Sequence, residues 1–252
     1  MPLLILIGLA IFVAAIMAVV VNFRFLMYPL IPSLNPVTRA SKLRLKGNTL
    51  FISDLHLKLN RPFEYSEDLR RFIEANNVSN LIIDGDLFDS PRDAQRMLGS
   101  DAKNSVFNVL PSEGLAVNLF WVIGSRAHDP LKPSENITGS RGLQVLGRCV
   151  FIDFGGFEVL AYHGHDLSLK GAIGHAWDRF VSKLGLERMW KRFAKVDPKV
   201  WVVFGHTHIP GVDTRSRVAN CGGWQKVPFV SPTRTGILFA EQEDAPRVVQ
   251  LA

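Results

Sequence analysis

Four short polar clusters each follow an apolar run. Asp54-Leu55-His56 comes after Thr49–Ser53, and Gly85-Asp86-Leu87-Phe88-Asp89 after Asn80–Asp84. His163-Gly164-His165 comes after Phe157–Tyr162, and Gly205-His206-Thr207-His208 after Val200–Phe204. Carboxylates and imidazoles in this mixture suit divalent transition metals, and two such cations can turn water into a nucleophile at neutral pH, because their charge lowers its pKa by many units. Cations roughly 3.5–4 Å apart repel strongly, so an anionic ligand has to bridge them. Asp86 is assigned that bridge. Neutral imidazoles fill the remaining positions without adding negative charge. The mixed set favours manganese, with iron or zinc as alternatives, over calcium or magnesium.

The spacing adds a geometric argument. Residues i and i+2 of an extended segment point to one side, so Asp54 with His56, and His206 with His208, project as pairs. Gly85, Gly164 and Gly205 allow sharp bends after their strands. Taken singly, each cluster has a plainer reading: a capped turn, a Gly-Asp turn, a satisfied buried histidine. The conjunction, each cluster after a strand-like run, is what points to a metal pair. His165 and Asp89 stay open between the two readings.

The elements that must position these residues follow from periodicity. The runs before the clusters are short, β-branched or aromatic, and read as buried strands. Tyr65–Asn76 carries Leu69, Phe72 and Ile73 on one helical face. Trp177, Phe180, Val181 and Leu184 form one apolar stripe, and Leu186, Met189, Trp190 and Phe193 another. The phase shifts at Gly185, which predicts two short helices broken by a glycine cap. Strands alternating with helices, then a tail of strands after Thr214, argue for an α/β domain with mixed sheets.

The series of clusters resembles the calcineurin-like metallophosphoesterases over Leu50 to Leu251. That resemblance implies a sandwich of two mixed sheets flanked by helices. It also implies one metal held by Asp54, His56, Asp86 and His208, and a second held by Asp86, His163 and His206. One element departs from the family pattern. Where a Gly-Asn-His-Asp stretch is usual, this chain has Gly124-Ser125-Arg126-Ala127-His128-Asp129. Aligned from the glycine, Ser125 replaces the Asn ligand, and Arg126 sits where the UDP-2,3-diacylglucosamine pyrophosphatase branch carries Arg. Aligned from His128-Asp129, two residues are inserted. Either way the second metal lacks its usual amide oxygen, and Ser125 is the candidate substitute ligand, with a backbone carbonyl or water as alternatives. His128 is favoured over Arg126 as the group that stabilises or protonates the leaving oxygen, while Arg126 suits bidentate phosphate binding.

The amino terminus carries a second signal. Pro2–Val21 contains no charged side chain and is long enough to cross a hydrocarbon core roughly 30 Å thick. Residues 1–27 are expected to form a transmembrane helix. A cleaved signal peptide would want basic residues before its core, and none is present. Arg24, Arg39, Lys42, Arg44 and Lys46 all lie after the span, which places the catalytic part on the cytoplasmic face of a single-pass cell-membrane protein. Residues 28–46, with Pro29, Pro32 and Pro36, read as a stiff, basic, partly extended linker. Residues 47–252 are expected to be a self-contained domain. It holds 24 basic and 23 acidic residues, so the chain's net charge of +6 is a juxtamembrane property and nucleic acid is not expected. Cys149 and Cys221 suggest no disulfide framework, and the sequon at Asn136 is irrelevant in a cytoplasmic domain.

Basic charge concentrates between Lys170 and Lys199, where eight Lys or Arg face three acids. Residues 172–195 are accordingly a candidate helical lid or lipid-facing element. An ordinary core-packing pair is the alternative. The expected activity is hydrolysis of a phosphoester or pyrophosphate bond by a metal-bridged hydroxide, on a lipid-linked nucleotide or phospholipid-like compound. Arg126, His128 and Lys170 would hold phosphate oxygens. A tethered phosphatase or phosphodiesterase of soluble substrates and a non-catalytic tethering module are the other two readings. Oligomeric state is left open.

Overall fold

The computed structural model describes residues 23–59, 61, 63–98, 117–130, 143–168, 171–226 and 231–251. The expected span at Pro2–Val21, the sequon and Lys170 lie outside them. Among the described residues no helix is long and apolar enough to cross a membrane.

Among the described residues, twelve strands form two six-stranded sheets. The first contains β1 (Ser41–Arg44), β6 (Val150–Asp153), β7 (Glu158–Ala161), β8 (Trp201–Phe204), β9 (Gly211–Asp213) and β10 (Val218–Asn220), in the order β1-β6-β7-β8-β10-β9. The second contains β2 (Asn48–Ile52), β3 (Val78–Asp84), β4 (Asn118–Val122), β5 (Leu143–Gly147), β11 (Thr235–Phe239) and β12 (Arg247–Gln250), in the order β12-β11-β2-β3-β4-β5. Both are mixed: β2 through β5 run parallel while β11 and β12 are antiparallel, and β7, β8 and β10 run parallel beside antiparallel β6 and β9.

Side chains alternate across each strand, so the central strands feed separate cores. Phe51, Ile82, Phe120 and Val122 meet Val159, Ala161, Trp201 and Val203 between the sheets, which makes the two sheets a sandwich. Leu50, Ile52, Leu81, Ile83 and Trp121 point outward, under α1 (Ser66–Ala75) and α2 (Pro91–Leu98). On the opposite side, Leu160, Val202 and Phe204 pack beneath α3 (Gly171–Phe180) and α4 (Gly185–Phe193). Strands buried on both faces explain the near-continuous apolar runs.

The helix break falls where the phase shift placed it, with a different residue bearing the strain. Leu184 takes the left-handed backbone at φ 55°, and Gly185 begins α4 instead of capping α3. A side chain at 185 would collide with Ser182 Cβ and approach the Trp177 indole nitrogen, so the glycine serves close helix packing.

The expected division at residue 47 needs correction. Arg24–Met27 is a three-ten turn with Phe25 fully buried, Tyr28 is buried, and Ser41–Arg44 is a strand of the first sheet paired in parallel with β6. Residues 28–46 are thus no free linker. Pro32 and Pro36 each open a three-ten turn, where a fixed φ and a missing N–H cost little. Hydrophobic contact with α3 and α4 then holds the segment on the domain: Phe23 meets Trp177 edge-on at 5.9 Å and Phe25 meets Phe193 at 5.7 Å.

Candidate metal centre

Parallel strands ending in register bring their following turns together. Ile52 pairs with Ile83 and Asp84 with Val122 in one sheet, and Ala161 pairs with Val203 in the other. Asp54 and His56 lie in the turn after β2, Asp86 after β3, Ser125 and His128 after β4, His163 after β7, and His206 and His208 after β8. The turns are stitched by backbone: Asp54 N–H donates to the Gly85 carbonyl and His56 N–H to the Asp86 carbonyl.

The pairing of i with i+2 arises differently from the extended geometry expected. Asp54 (φ 57°), His56 (φ 45°), Asp86 (φ 46°), His206 (φ 64°) and His208 (φ 58°) all sit in the left-handed region. Such strain in non-glycine residues collects at functional sites. The bends bring Asp54 and His56 into one ligand group and send His206 and His208 to different ones. Gly85 is required for close approach, since a Cβ there would strike the His163 ring.

Asp54, His56 and His208 offer ligand atoms all within 4.8 Å of one another, and so do Asp86, His163 and His206. His208 Nε2 lies 3.0 Å from Asp54 Oδ1, and His163 Nε2 lies 3.2 Å from Asp86 Oδ2 and 3.9 Å from Asp54 Oδ1. All six residues are buried.

Second partners fix the tautomers. His163 Nδ1 stands 2.7 Å from the Asp84 carbonyl, which only accepts, so that nitrogen bears the proton and Nε2 faces the carboxylates. His206 Nε2 donates to the Ser168 carbonyl at 2.9 Å, leaving Nδ1 as its ligand atom. A hydrogen bond from the far ring nitrogen is what orients metal-binding histidines. Asp54 Oδ1 and His163 Nε2 are buried with no hydrogen-bond partner among the described residues. An unsatisfied carboxylate oxygen in one group and an unsatisfied imidazole nitrogen in the other fit a divalent cation at each. The electrostatics agree. Burial opposes charge on Asp54 and Asp86, but the neighbouring histidines, His208 and His163 foremost, hold both carboxyls well below their usual range. Burial disfavours a charged His163 too, yet Asp86 and Asp54 drive its pKa well above normal, so this position demands positive charge. His206 is pushed down to about 4 by burial and by His163, and stays neutral.

The loop after β4 turns its two ends differently. His128 and Asp129 take the inner positions. The His128 ring meets His56 edge-on at 4.6 Å, its Nδ1 donates to the Asp89 carbonyl at 2.9 Å, and its Nε2 lies 3.9 Å from Asp86 Oδ2. Ser125 N–H donates to Asp86 Oδ1 at 3.0 Å, and its buried Oγ has no partner among the described residues, which fits a weak oxygen ligand. Arg126 is exposed.

Sequence reasoning missed several supports. Asp129 accepts N–H bonds from Asp86, Leu87 and Gly124, tying two site turns together. Ser53 Oγ donates to Asp54 Oδ2 at 2.5 Å and stands 2.7 Å from the Asp84 carbonyl. A polar residue at the very end of an apolar run was the available signal for Ser53 and Asp84. Of the two residues left open, His165 contacts Asp166 at 3.9 Å and Asp89 pairs with Lys58 at 3.4 Å, so neither belongs to the two ligand groups.

A model of the calcineurin-like phosphoesterase family matches residues 47–210. The chain belongs to that family. Two curated relatives are similar to this phosphoesterase-family chain, both named UDP-2,3-diacylglucosamine hydrolase. The protein from Vibrio parahaemolyticus is 29% identical over 151 residues, covering 57% of this chain and 58% of its own. The one from Stenotrophomonas maltophilia is 35% identical over 124 residues, covering 46% of each. The chain spans about half the length of the curated relatives it matches. Wild-type Vps29 complexed with zinc, from Entamoeba histolytica, superposes with a TM-score of 0.42 at 13% identity over 80% of this chain and 97% of that one.

Proposed function

We propose that the protein is a membrane-anchored, dinuclear metal-dependent phosphoester hydrolase. Its substrate is a lipid-linked nucleotide or phospholipid-like compound cleaved at a phosphoester or pyrophosphate bond, and its catalytic domain is cytoplasmic. The observation carrying this reading is the pair of buried ligand groups, Asp54/His56/His208 and Asp86/His163/His206, with Asp86 and Asp54 both within reach of His163 Nε2.

When bound, two divalent cations would supply the charge that activates water and neutralises phosphate oxygens. Asp86 would bridge them, and Ser125 Oγ would complete the second site. The imidazole and carboxylate donors support manganese, with iron or zinc as alternatives. His128, fixed by its bond to the Asp89 carbonyl, presents Nε2 at the site mouth, where it would carry a proton to the leaving oxygen. The lipid-linked substrate is supported by the relatives' names and by the uncharged stretch Pro2–Val21.

The test is turnover by full-length protein in detergent against nucleotide-linked lipids, phospholipids and bis-p-nitrophenyl phosphate, alongside metal analysis. Turnover lost on chelation and restored by manganese is expected. A fully metal-loaded protein that hydrolyses none of these would overturn the reading and leave a tethering module.

A further inference from the structure

Parallel strands β2, β3, β4 and β5 end at one sheet edge, and the first three are followed by Asp54, Asp86 and Ser125. The fourth is followed by Arg148. Because Val122 pairs with Gly147, Arg148 stands beside the turn that leads into Ser125. Its Nη1 donates to the Gly124 carbonyl at 3.0 Å, and Gly124 N–H is itself held by Asp129 at 2.7 Å. The guanidinium is half-buried and forms no ion pair among the described residues.

Arg126 lies on the same turn, also without an ion pair among the described residues. After burial, its charge is the main influence lowering the Arg148 pKa. Arg148, bonded to the Gly124 carbonyl, and Arg126, two residues further along that loop, place two guanidiniums beside the loop that carries Ser125, where positive potential suits an anion. The Gly124 bond occupies one of five N–H groups on Arg148, and a pinned guanidinium fork matches phosphate geometry.

We propose that Arg148, together with Arg126, forms a second phosphate subsite that holds the phosphate not under attack in a diphosphate substrate. This rests on the diphosphate form of the reading above. It assigns a specificity-determining role to the strand that contributes no metal ligand.

The test compares full-length, metal-loaded wild-type protein with Arg148→Gln and Arg148→Lys by isothermal titration. The probes are methylenebisphosphonate, with two phosphorus groups, and methylphosphonate, with one. A common metal-buffered solution cancels chelation by the probes. Loss of a charge-assisted pair predicts that Arg148→Gln weakens the two-group probe about 10- to 100-fold. The one-group probe should weaken far less, Arg148→Lys should fall between, and the melting temperature should not change. Parallel weakening of both probes with a fall in melting temperature would mean that Arg148 only braces the Gly124 turn, and unchanged binding of the two-group probe would equally overturn the subsite. Binding is read without turnover. A wild-type protein that shows the probe discrimination but hydrolyses nothing defeats the hydrolase reading alone, and an active enzyme without the discrimination defeats the subsite alone.

Discussion

The Tyr28 hydroxyl donates a 2.9 Å hydrogen bond to Asp166 Oδ2, three residues beyond the candidate ligand His163. Tyr162 donates to the same oxygen at 2.8 Å, Trp190 Nε1 donates to Tyr28 at 3.1 Å, and Arg24 lies 3.8 Å from Asp166 Oδ1. The segment that leads from the apolar amino terminus therefore braces a loop of the metal centre. Burying Phe25 and Tyr28 contributes about 1.5–3 kcal/mol each, a large share of a domain stability of about 5–15 kcal/mol. A fragment beginning at residue 23 should fold and keep its activity on a small diester. A fragment beginning at residue 47 should melt at least about 10 °C lower, or fail to accumulate. Equal melting temperatures by calorimetry would show that the docked segment contributes nothing.

Asp86 accepts the Ser125 N–H, faces His163 at 3.2 Å and takes a left-handed backbone. Asparagine keeps the shape and loses the charge. Asp86→Asn should bind one metal equivalent fewer and lose at least about 1000-fold in kcat, because a bridging carboxylate serves both cations. Circular dichroism should be unchanged. Near-normal turnover with full metal content would remove Asp86 from the bridge.

His128 and Arg126 separate on geometry. The imidazole is pinned against His56 and aimed toward Asp86, whereas Arg126 is exposed. On bis-p-nitrophenyl phosphate, His128→Gln should lower kcat about 100- to 10,000-fold with metal content intact. Arg126→Ala should cost clearly less on this single-phosphate substrate. The reverse ranking in steady-state kinetics would exchange the two roles.

The ligand clusters were legible because residue type and a preceding buried strand coincide, which local sequence reports directly. The backbone at Asp54, His56, Asp86, His206 and His208 was not, since no local rule calls for left-handed conformations in non-glycine residues; the packed turns impose them. Residues 28–46 misled for a related reason. Prolines argue against a long helix but say nothing against three-ten turns, and the burial of Tyr28 depends on Trp190 and Asp166, more than a hundred residues away in sequence. Asp129 and Glu187 were invisible as supports because their partners are backbone or polar groups brought in by other strands.

Amphipathic stripes alone could not say which aromatics face outward. Trp190 is fully buried, stacked on Tyr162 at 4.7 Å, while Phe180 and Val181 at the end of α3 are 78% and 64% exposed. If this hairpin touches a bilayer, Phe180 and Val181 are the contacts. The double change Phe180→Ser with Val181→Ser should weaken binding of fragment 23–252 to anionic vesicles about tenfold, at unchanged melting temperature. Trp190→Ala should instead destabilise the fold by about 3–5 kcal/mol and reduce every activity together. Unaltered vesicle sedimentation by the serine pair would remove this face from the membrane.

Glu187 on α4 reaches the loop between His206 and His208: its Oε1 accepts from Thr207 Oγ1 at 3.1 Å and from Asn220 Nδ2 at 2.8 Å. Among the described residues Oε2 has no partner, and neither does Asp178 Oδ2 nearby. Burial first, then the Asp178 charge, raises the Glu187 pKa well above the carboxylate range. A raised folded-state pKa means that the native protein keeps a proton which the unfolded chain releases above about pH 4.3. Its stabilising effect is complete below that value and is lost as pH climbs through the folded pKa. Glutamine cannot ionise, its Oε1 still accepts from Thr207 and Asn220, and its amide can donate to Asp178. Glu187→Gln should therefore match wild type near pH 4 and melt progressively higher than wild type as pH rises, by about 2–4 °C for each kcal/mol gained. Thermal scans across that range decide the matter: a gap that is flat with pH, or that closes toward alkaline pH, would mean that the carboxyl is ionised in the folded protein and holds Thr207 as an anion.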